Sequence, residues 1–333
     1  MLYLRQLFQG GKKMARKLVV CIQNITEDQK RSIENAALGR GWTAEFYDAK
    51  EEAAAAAKNA EVVFADSPRY AMDNPGLKWI CSPSAGVNHF TSREYFLESG
   101  VMLTNSSGAY GVSIAEHVIM AAISMLRCQP EYQADVASKV WKRGYTIGCL
   151  KNARVTLLGT GDIGRKTAKR LRGFEPGRIV GVNTRGLEES GLFDQVVEVD
   201  QLGEILPETD ILVMSLPATA NTYHIMDRDK LALLPDGAVI INVGRGNCID
   251  QETLVEELKA GRLRAALDVF EKEPIPADSE LWDCPNLMIT PHVAGDMFLP
   301  YTVQKIVDQF LEDFKRYNEG KSLLRRVDLD RGY

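Results

Sequence analysis

Short apolar runs recur along the chain and alternate with stretches whose apolar positions are spaced three and four apart. Runs at 18–22, 44–47, 62–65, 79–82 and 101–104 read as strands, and 27–38 and the alanine run 53–57 read as helices. After a loop-like stretch at 144–148 the alternation resumes, with strands expected at 154–158, 179–182, 211–215, 238–242, 265–268 and 287–290. These runs are apolar without interruption, the pattern of strands covered by helices on both faces, so the expected sheets are mostly parallel. Between the two series, Ser113 and Glu116 have capping-box spacing. They precede 118–126, a run apolar nearly all round that is expected to form a buried helix joining domains or subunits. Val303, Ile306, Val307, Phe310, Leu311 and Phe314 predict a closing amphipathic helix.

Composition narrows the class. A chain of 333 residues, 45% hydrophobic and 26% charged, is an ordinary globular protein of about two domains. Its 40 basic against 45 acidic residues give a net charge of -5, which disfavours nucleic acid as a partner. The longest apolar run, about nine residues, is far short of the roughly 20 that a membrane span needs, so no membrane partner is expected. Six cysteines lie without a CxxC pair or a Cys/His cluster of zinc spacing, so reduced thiols, a cytoplasmic setting and no metal are expected. Residues 1–13 lack a signal-peptide core and read as a non-native or disordered extension. Gly10-Gly11-Lys12-Lys13 is encoded by purine-rich codons like those of a bacterial ribosome-binding site, which makes Met14 the expected start.

Gly159-Thr160-Gly161-Asp162-Ile163-Gly164 follows an expected strand and precedes an expected helix at 165–172. That context turns a GxGxxG string into a dinucleotide-binding loop. The first glycine makes the tight turn, the second admits the pyrophosphate, and the third lets helix and sheet pack closely. The phosphates then face the free N–H groups of the helix N-terminus. Where the adenine ribose should meet an acidic residue stand Asn183, Thr184 and Arg185. With no carboxylate to repel a 2'-phosphate and an arginine to pair with one, NADP(H) is favoured and NAD(H) is the alternative.

Three later segments also follow expected strands, at the sheet edge where α/β proteins bind ligands. They are Asn242-Val243-Gly244-Arg245-Gly246, the run 268–274 and Thr290-Pro291-His292-Val293-Ala294-Gly295. Reduction of a 2-oxo acid needs a cation for the carboxylate and carbonyl and a proton donor at the carbonyl oxygen, and these segments hold candidates for both. Taken singly, a histidine after a strand is more often a satisfied polar residue, and so His117 and His224 are read as structural. His89 is read likewise, although its segment could touch substrate. Cys81 and Cys248 read as packing residues, Asp162 as a surface residue and Asp250 as a helix N-cap.

Together the motifs GTGDIG, LPATANT (216–222), NVGRGNCID (242–250), ALDVFEKEP (266–274) and ITPHVAG (289–295) resemble, in order and spacing, the D-isomer-specific 2-hydroxyacid dehydrogenase family. SAGVNHF (84–90) and TNSSGAYGVSIAEH (104–117) extend the resemblance over nearly everything after Met14. It implies a Rossmann-type, doubly wound parallel sheet (110–296) inserted into a smaller flavodoxin-like α/β domain (14–109 with 297–333), in a homodimer built through the cofactor domain. Arg245 then matches the substrate-binding arginine, Glu273 the catalytic carboxylate and His292 the acid/base histidine. Asp268 matches the residue near the nicotinamide amide, Pro217 and Thr222 positions lining the cofactor, and the Ala85 and Gly86 N–H groups the grip on the substrate carboxylate.

The implied reaction interconverts a small 2-oxo acid and its D-2-hydroxy acid, as in glyoxylate/hydroxypyruvate reductases. Asn88 stands where relatives often carry Asp. Formate dehydrogenases of the superfamily pair the histidine with Gln, where this chain has Glu273. Phosphoglycerate dehydrogenase is the nearer alternative, although no Arg or Lys lies within 82–90 to hold a phosphate. A nucleotide-sensing corepressor with the same fold is the alternative from a different class.

Overall fold

In a computed structural model, residues 16–72, 74–87, 90 and 100–328 are described; the expectations for 1–13, Asn88 and His89 lie outside them. The chain divides into two compact units, 16–106 with 303–328 and 107–302. The second unit is therefore an insertion within the sequence of the first.

The first unit holds strands β1 (Arg16–Cys21), β2 (Trp42–Phe46), β3 (Val62–Ala65), β4 (Trp79–Cys81) and β5 (Met102–Thr104), all parallel in the order β2-β1-β3-β4-β5. That is the flavodoxin-like order. Helix Glu27–Leu38 starts with a capping box in which the Gln29 N–H donates to Thr26 and the Thr26 N–H donates to Gln29. The closing helix, Pro300–Asn318, packs its apolar stripe on this sheet from Val303 onward. Phe310, fully buried, stacks on Phe64 at 4.3 Å and on Trp79 at 5.6 Å.

The second unit holds β6 (Arg154–Leu158), β7 (Arg178–Asn183), β8 (Gln195–Glu198), β9 (Ile211–Met214), β10 (Val239–Asn242), β11 (Arg264–Leu267) and β12 (Leu287–Ile289). They form a parallel sheet in the order β12-β11-β10-β9-β6-β7-β8. Every residue of β9 and β10 is buried, because helices cover both faces. The strand order reverses between β6 and β9, which opens a crevice at their carboxyl ends. Among the described residues no single helix is long and apolar enough to cross a membrane.

Several expectations are corrected. Helix Gly111–Leu126 starts ahead of Ser113, whose hydroxyl donates to the Tyr110 carbonyl at 2.9 Å, so no capping box forms there. The chain is already helical at Tyr110, and Gly111 lies against the Asp162 side chain, where a Cβ would come 2.0 Å from Oδ2. Nor is this helix buried all round, since Met120 and Ile123 are 43% and 38% exposed. The helix after the glycine loop begins at Asp162, so half of the GxGxxG string lies in its first turn. Strand β8 was not expected: it pairs with β7 alone, is only partly buried and carries no long apolar run.

Phe310→Ala should cost the first unit about 3–5 kcal/mol. Urea unfolding followed by tryptophan fluorescence checks this; a loss below about 1 kcal/mol contradicts the packing role of the stack.

Candidate active site

The glycine loop follows β6 at the crevice. Gly159 has φ +107°, and a Cβ there would meet Ser215 Oγ at 2.9 Å. A Cβ at Gly164 would lie 2.1 Å from the Gly159 carbonyl oxygen, so this glycine lets helix Asp162–Leu171 close onto the loop. Gly161 differs. It is the N-cap of that helix, has no side-chain cap, is exposed, and has nothing within 4 Å of where a Cβ would be. Open space against uncapped helical N–H groups is what a pyrophosphate requires, so these residues fit a dinucleotide. Ile163 is half-buried in the first turn, and Asp162 is paired with Lys166 at 2.8 Å, which neutralises a charge that would otherwise oppose phosphate.

At the end of β7, the Asn183 amide donates to Thr160 Oγ1 at 2.7 Å and to the Leu187 carbonyl at 3.0 Å, and Asn183 Oδ1 accepts the Arg185 N–H at 2.8 Å. Asn183 thus fastens the following turn onto the glycine loop. Thr184 and Arg185 are exposed beyond it, and the Arg185 guanidinium has no partner among the described residues. Thr222 Oγ1 donates to the Pro217 carbonyl at 2.7 Å and accepts the Thr219 N–H at 2.8 Å, folding the loop after β9 back on itself.

Neighbouring strands β10, β11 and β12 end side by side, and each carries one of the three candidate reactive residues in the loop that follows. Asn242 closes a turn with its Oδ1 on the Gly244 N–H (3.0 Å) and its amide on the Arg245 carbonyl (2.9 Å), which presents Arg245. Burial lowers the pKa of the Arg245 guanidinium while the Glu273 carboxylate works in the opposite direction. A cation held at that cost gains from an anionic substrate.

After β11, Asp268 is buried and its carboxylate accepts the Thr290 hydroxyl (2.6 Å) and the N–H groups of Val293 (2.9 Å) and Ala294 (3.0 Å). Its carbonyl accepts the His292 N–H at 2.9 Å. Where resemblance puts Asp268 beside a nicotinamide, the structure shows it also building the turn that carries His292. That turn holds His292 at φ +56°, unusual for a residue with a Cβ. Glu273 Oε1 accepts the Phe270 N–H at 2.9 Å, and Oε2 lies 2.7 Å from His292 Nδ1. With Nδ1 donating to Glu273, Nε2 of the half-exposed ring is left to take or give a proton.

The structure therefore brings Arg245, Glu273, His292, Asp268 and the glycine loop onto one edge of one sheet. Ala85 and Gly86 belong to the other unit. There Ser82 and Ser84 hydroxyls both donate to Asp66, each at 2.7 Å, and the Asn105 amide donates to the Ala85 carbonyl at 2.8 Å. The Ala85 and Gly86 N–H groups have no partner among the described residues, which leaves two donors available. Sequence reading missed Asp66, for which the only signal was a carboxylate ending the apolar run 62–65. It read His224 as structural and did not single out Glu271; the two lie 2.7 Å apart. Cys248 and Cys81 are buried, and burial raises both thiols, Cys81 to about 12, so neither is a poised nucleophile. Asp250 caps helix Gln251–Lys259 by accepting the Thr253 N–H. His117 Nε2 lies 3.4 Å from Thr290 Oγ1, and burial lowers its pKa against the pull of Asp268.

Gly161→Asp should raise the Kd for a nicotinamide dinucleotide by at least about 100-fold by placing a carboxylate where the pyrophosphate goes. The thermal midpoint should move by no more than a few degrees; fluorescence titration with unaltered affinity would remove this loop from the cofactor site.

Residues 119–294 match the model of the D-isomer specific 2-hydroxyacid dehydrogenase NAD binding domain. A glyoxylate/hydroxypyruvate reductase of Arabidopsis thaliana is 31% identical over 260 residues, covering 77% of this chain and 78% of that protein. The crystal structure of a D-isomer specific 2-hydroxyacid dehydrogenase family protein from Aeromonas salmonicida is 30% identical with a TM-score of 0.82, covering 95% of this chain and 100% of that one. One from Xanthobacter autotrophicus, in complex with NADPH and MES, is 26% identical with a TM-score of 0.78 and covers 96% of this chain and 100% of its own.

Proposed function

The chain belongs to the D-isomer specific 2-hydroxyacid dehydrogenase family and is an NAD(P)-dependent oxidoreductase, and on that premise we propose that it reduces a small 2-oxo acid to the D-2-hydroxy acid with NADPH. The observation that carries this reading is the His292–Glu273 contact of 2.7 Å on the sheet edge that also carries Arg245 and the glycine loop. Arg245 binds the substrate carboxylate and polarises the carbonyl. When bound, the nicotinamide supplies the hydride to the carbonyl carbon. His292 Nε2 gives its proton to the carbonyl oxygen, and the Glu273 carboxylate stabilises the ring while it is charged. In oxidation the same nitrogen takes the hydroxyl proton. Asp268 keeps His292 in place.

Preference for NADPH is supported by the replacement of the ribose-binding acid with Asn183, whose amide is committed to Thr160 and Leu187, and by the exposed, unpartnered Arg185 beyond it. A homodimer is supported by the segment after helix Gly111–Leu126. Helix Gln129–Ala137 has no buried residue, and Val136, Val140, Trp141 and Ile147 are 66%, 51%, 89% and 49% exposed.

A panel of 2-oxo acids that includes glyoxylate, hydroxypyruvate, branched and phosphorylated members, run with NADPH and with NADH, tests the reading. Oxidation of the cofactor is expected, and His292→Ala should lower kcat by about 10²–10⁴ while the cofactor Kd stays within about twofold. Cofactor binding without turnover of any member would instead favour the corepressor reading. Arg185→Ala should raise KM for NADPH at least about tenfold and leave NADH nearly untouched; equal effects on both cofactors would defeat the 2'-phosphate assignment. Val136→Glu with Trp141→Glu should convert the dimer to monomer in sedimentation velocity, and a doubly substituted protein that stays dimeric excludes this surface.

A further inference from the structure

A second histidine–carboxylate pair lies beside the first. His224 Nε2 is 2.7 Å from Glu271 Oε1, and Glu271 is separated from Glu273 only by Lys272. Three chain segments meet at this pair. The His224 N–H donates to the Asn247 carbonyl at 2.9 Å, two residues beyond Arg245. Glu271 is tied on the other side to Gln251: its own N–H donates to Gln251 Oε1 at 3.3 Å, and its carboxylate accepts the Gln251 N–H at 3.4 Å. Tyr223 lies flat over the His224 ring, with centroids 4.0 Å apart and planes 11° apart. His224 takes φ +47°, a left-handed conformation that a side chain adopts only where surrounding contacts hold it.

Between this pair and the reactive residues there is no slack. A Cβ on Gly246 would lie 1.9 Å from the Phe270 carbonyl carbon, so the backbone carrying Arg245 bears directly on the backbone leading into Glu273. The Phe270 N–H in turn donates to Glu273 Oε1, whose other oxygen meets His292. Phe270, next to Glu271 in the chain, thus makes both the Glu273 hydrogen bond and the Gly246 contact.

We propose that the His224–Glu271 pair is a positioning couple for this active site, holding the Arg245 segment and the Glu273 segment in register so that Glu273 meets His292 Nδ1. It rests on the reading of Arg245, Glu273 and His292 as the working set. Neither member touches the reacting atoms. Both side chains are about one-third exposed, at 30% and 35%, so as an ion pair they matter little to overall stability. Their effect is on geometry, where displacement of a group supporting a catalytic residue costs on the order of 10–100-fold.

The experiment uses His224→Gln, Glu271→Gln and the double variant in the full chain, with two readouts. In the first, kcat should fall about tenfold in each single variant, with KM and cofactor Kd within about twofold and a displaced pH profile of kcat. The double variant should be no worse than the poorer single one, because the two side chains act as one unit. The second needs no turnover: with four histidines in the chain, imidazole ¹⁵N spectra resolve the His292 ring N–H, identified by its loss in His292→Ala. Its protection from exchange should fall several-fold in all three variants, with thermal midpoints within a few degrees of the parent. Unchanged His292 protection overturns the proposal, as do losses in kcat that multiply in the double variant or that follow cofactor Kd. If the parent protein reduces no 2-oxo acid, the substrate reading fails, while the His292 spectrum still decides whether the pair positions that ring.

Discussion

The buried carboxylate of Asp268 is the constraint on which the site depends. A carboxylate at 2% exposure is tolerated only when its oxygens are bonded, and here the bonds come from Thr290, Val293 and Ala294. Those three donors all belong to the loop after β12, so satisfying one acid just after β11 shapes the turn that carries His292. The unusual φ of His292 follows from that demand, and its N–H completes the arrangement on the Asp268 carbonyl. Satisfying the buried carboxylate and placing the His292 turn are thus met by the same hydrogen bonds.

Backbone contact at glycines packs other loops of the sheet edge together. Gly164 lies against the Gly159 carbonyl, Gly244 against Leu216 and Gly246 against Phe270, in each case closer than any Cβ would allow. The loops after β9, β10 and β11 are therefore packed main chain to main chain, and the loop after β6 is closed onto its own helix. Such packing leaves few rotamers to freeze and transmits small displacements efficiently. Two histidine–carboxylate contacts of 2.7 Å lie along these loops, His292–Glu273 and His224–Glu271.

Much of the fold is legible in the sequence because parallel strands covered on both faces leave uninterrupted apolar runs; β6 over 154–158 and β9 within 211–215 are examples. Legibility fails where burial is partial. Strand β8 has one neighbour and no apolar run to mark it, and helix Gln129–Ala137 buries none of its residues, so neither leaves a periodic signal. The Ser113–Glu116 spacing misleads because the helix already starts at Gly111, so Ser113 lies in its first turn and its hydroxyl donates back to the Tyr110 carbonyl.

Residue types and their order along the chain determined the class of chemistry: a glycine loop after one strand, then an arginine, a carboxylate and a histidine after later ones. They did so because the motifs stand together in one order and spacing, whereas an arginine or a histidine after a strand, taken singly, carries little. Which side chains meet was decided by the tertiary structure. The strand order β12-β11-β10-β9-β6 makes neighbours of segments far apart in sequence, and only then do Asp268 and the His292 turn, or Glu271 and His224, fall within hydrogen-bond distance. Asp268, Glu271 and Glu273 look alike as three carboxylates in one loop of the chain, and their different partners, fixed by burial and register, give them different work.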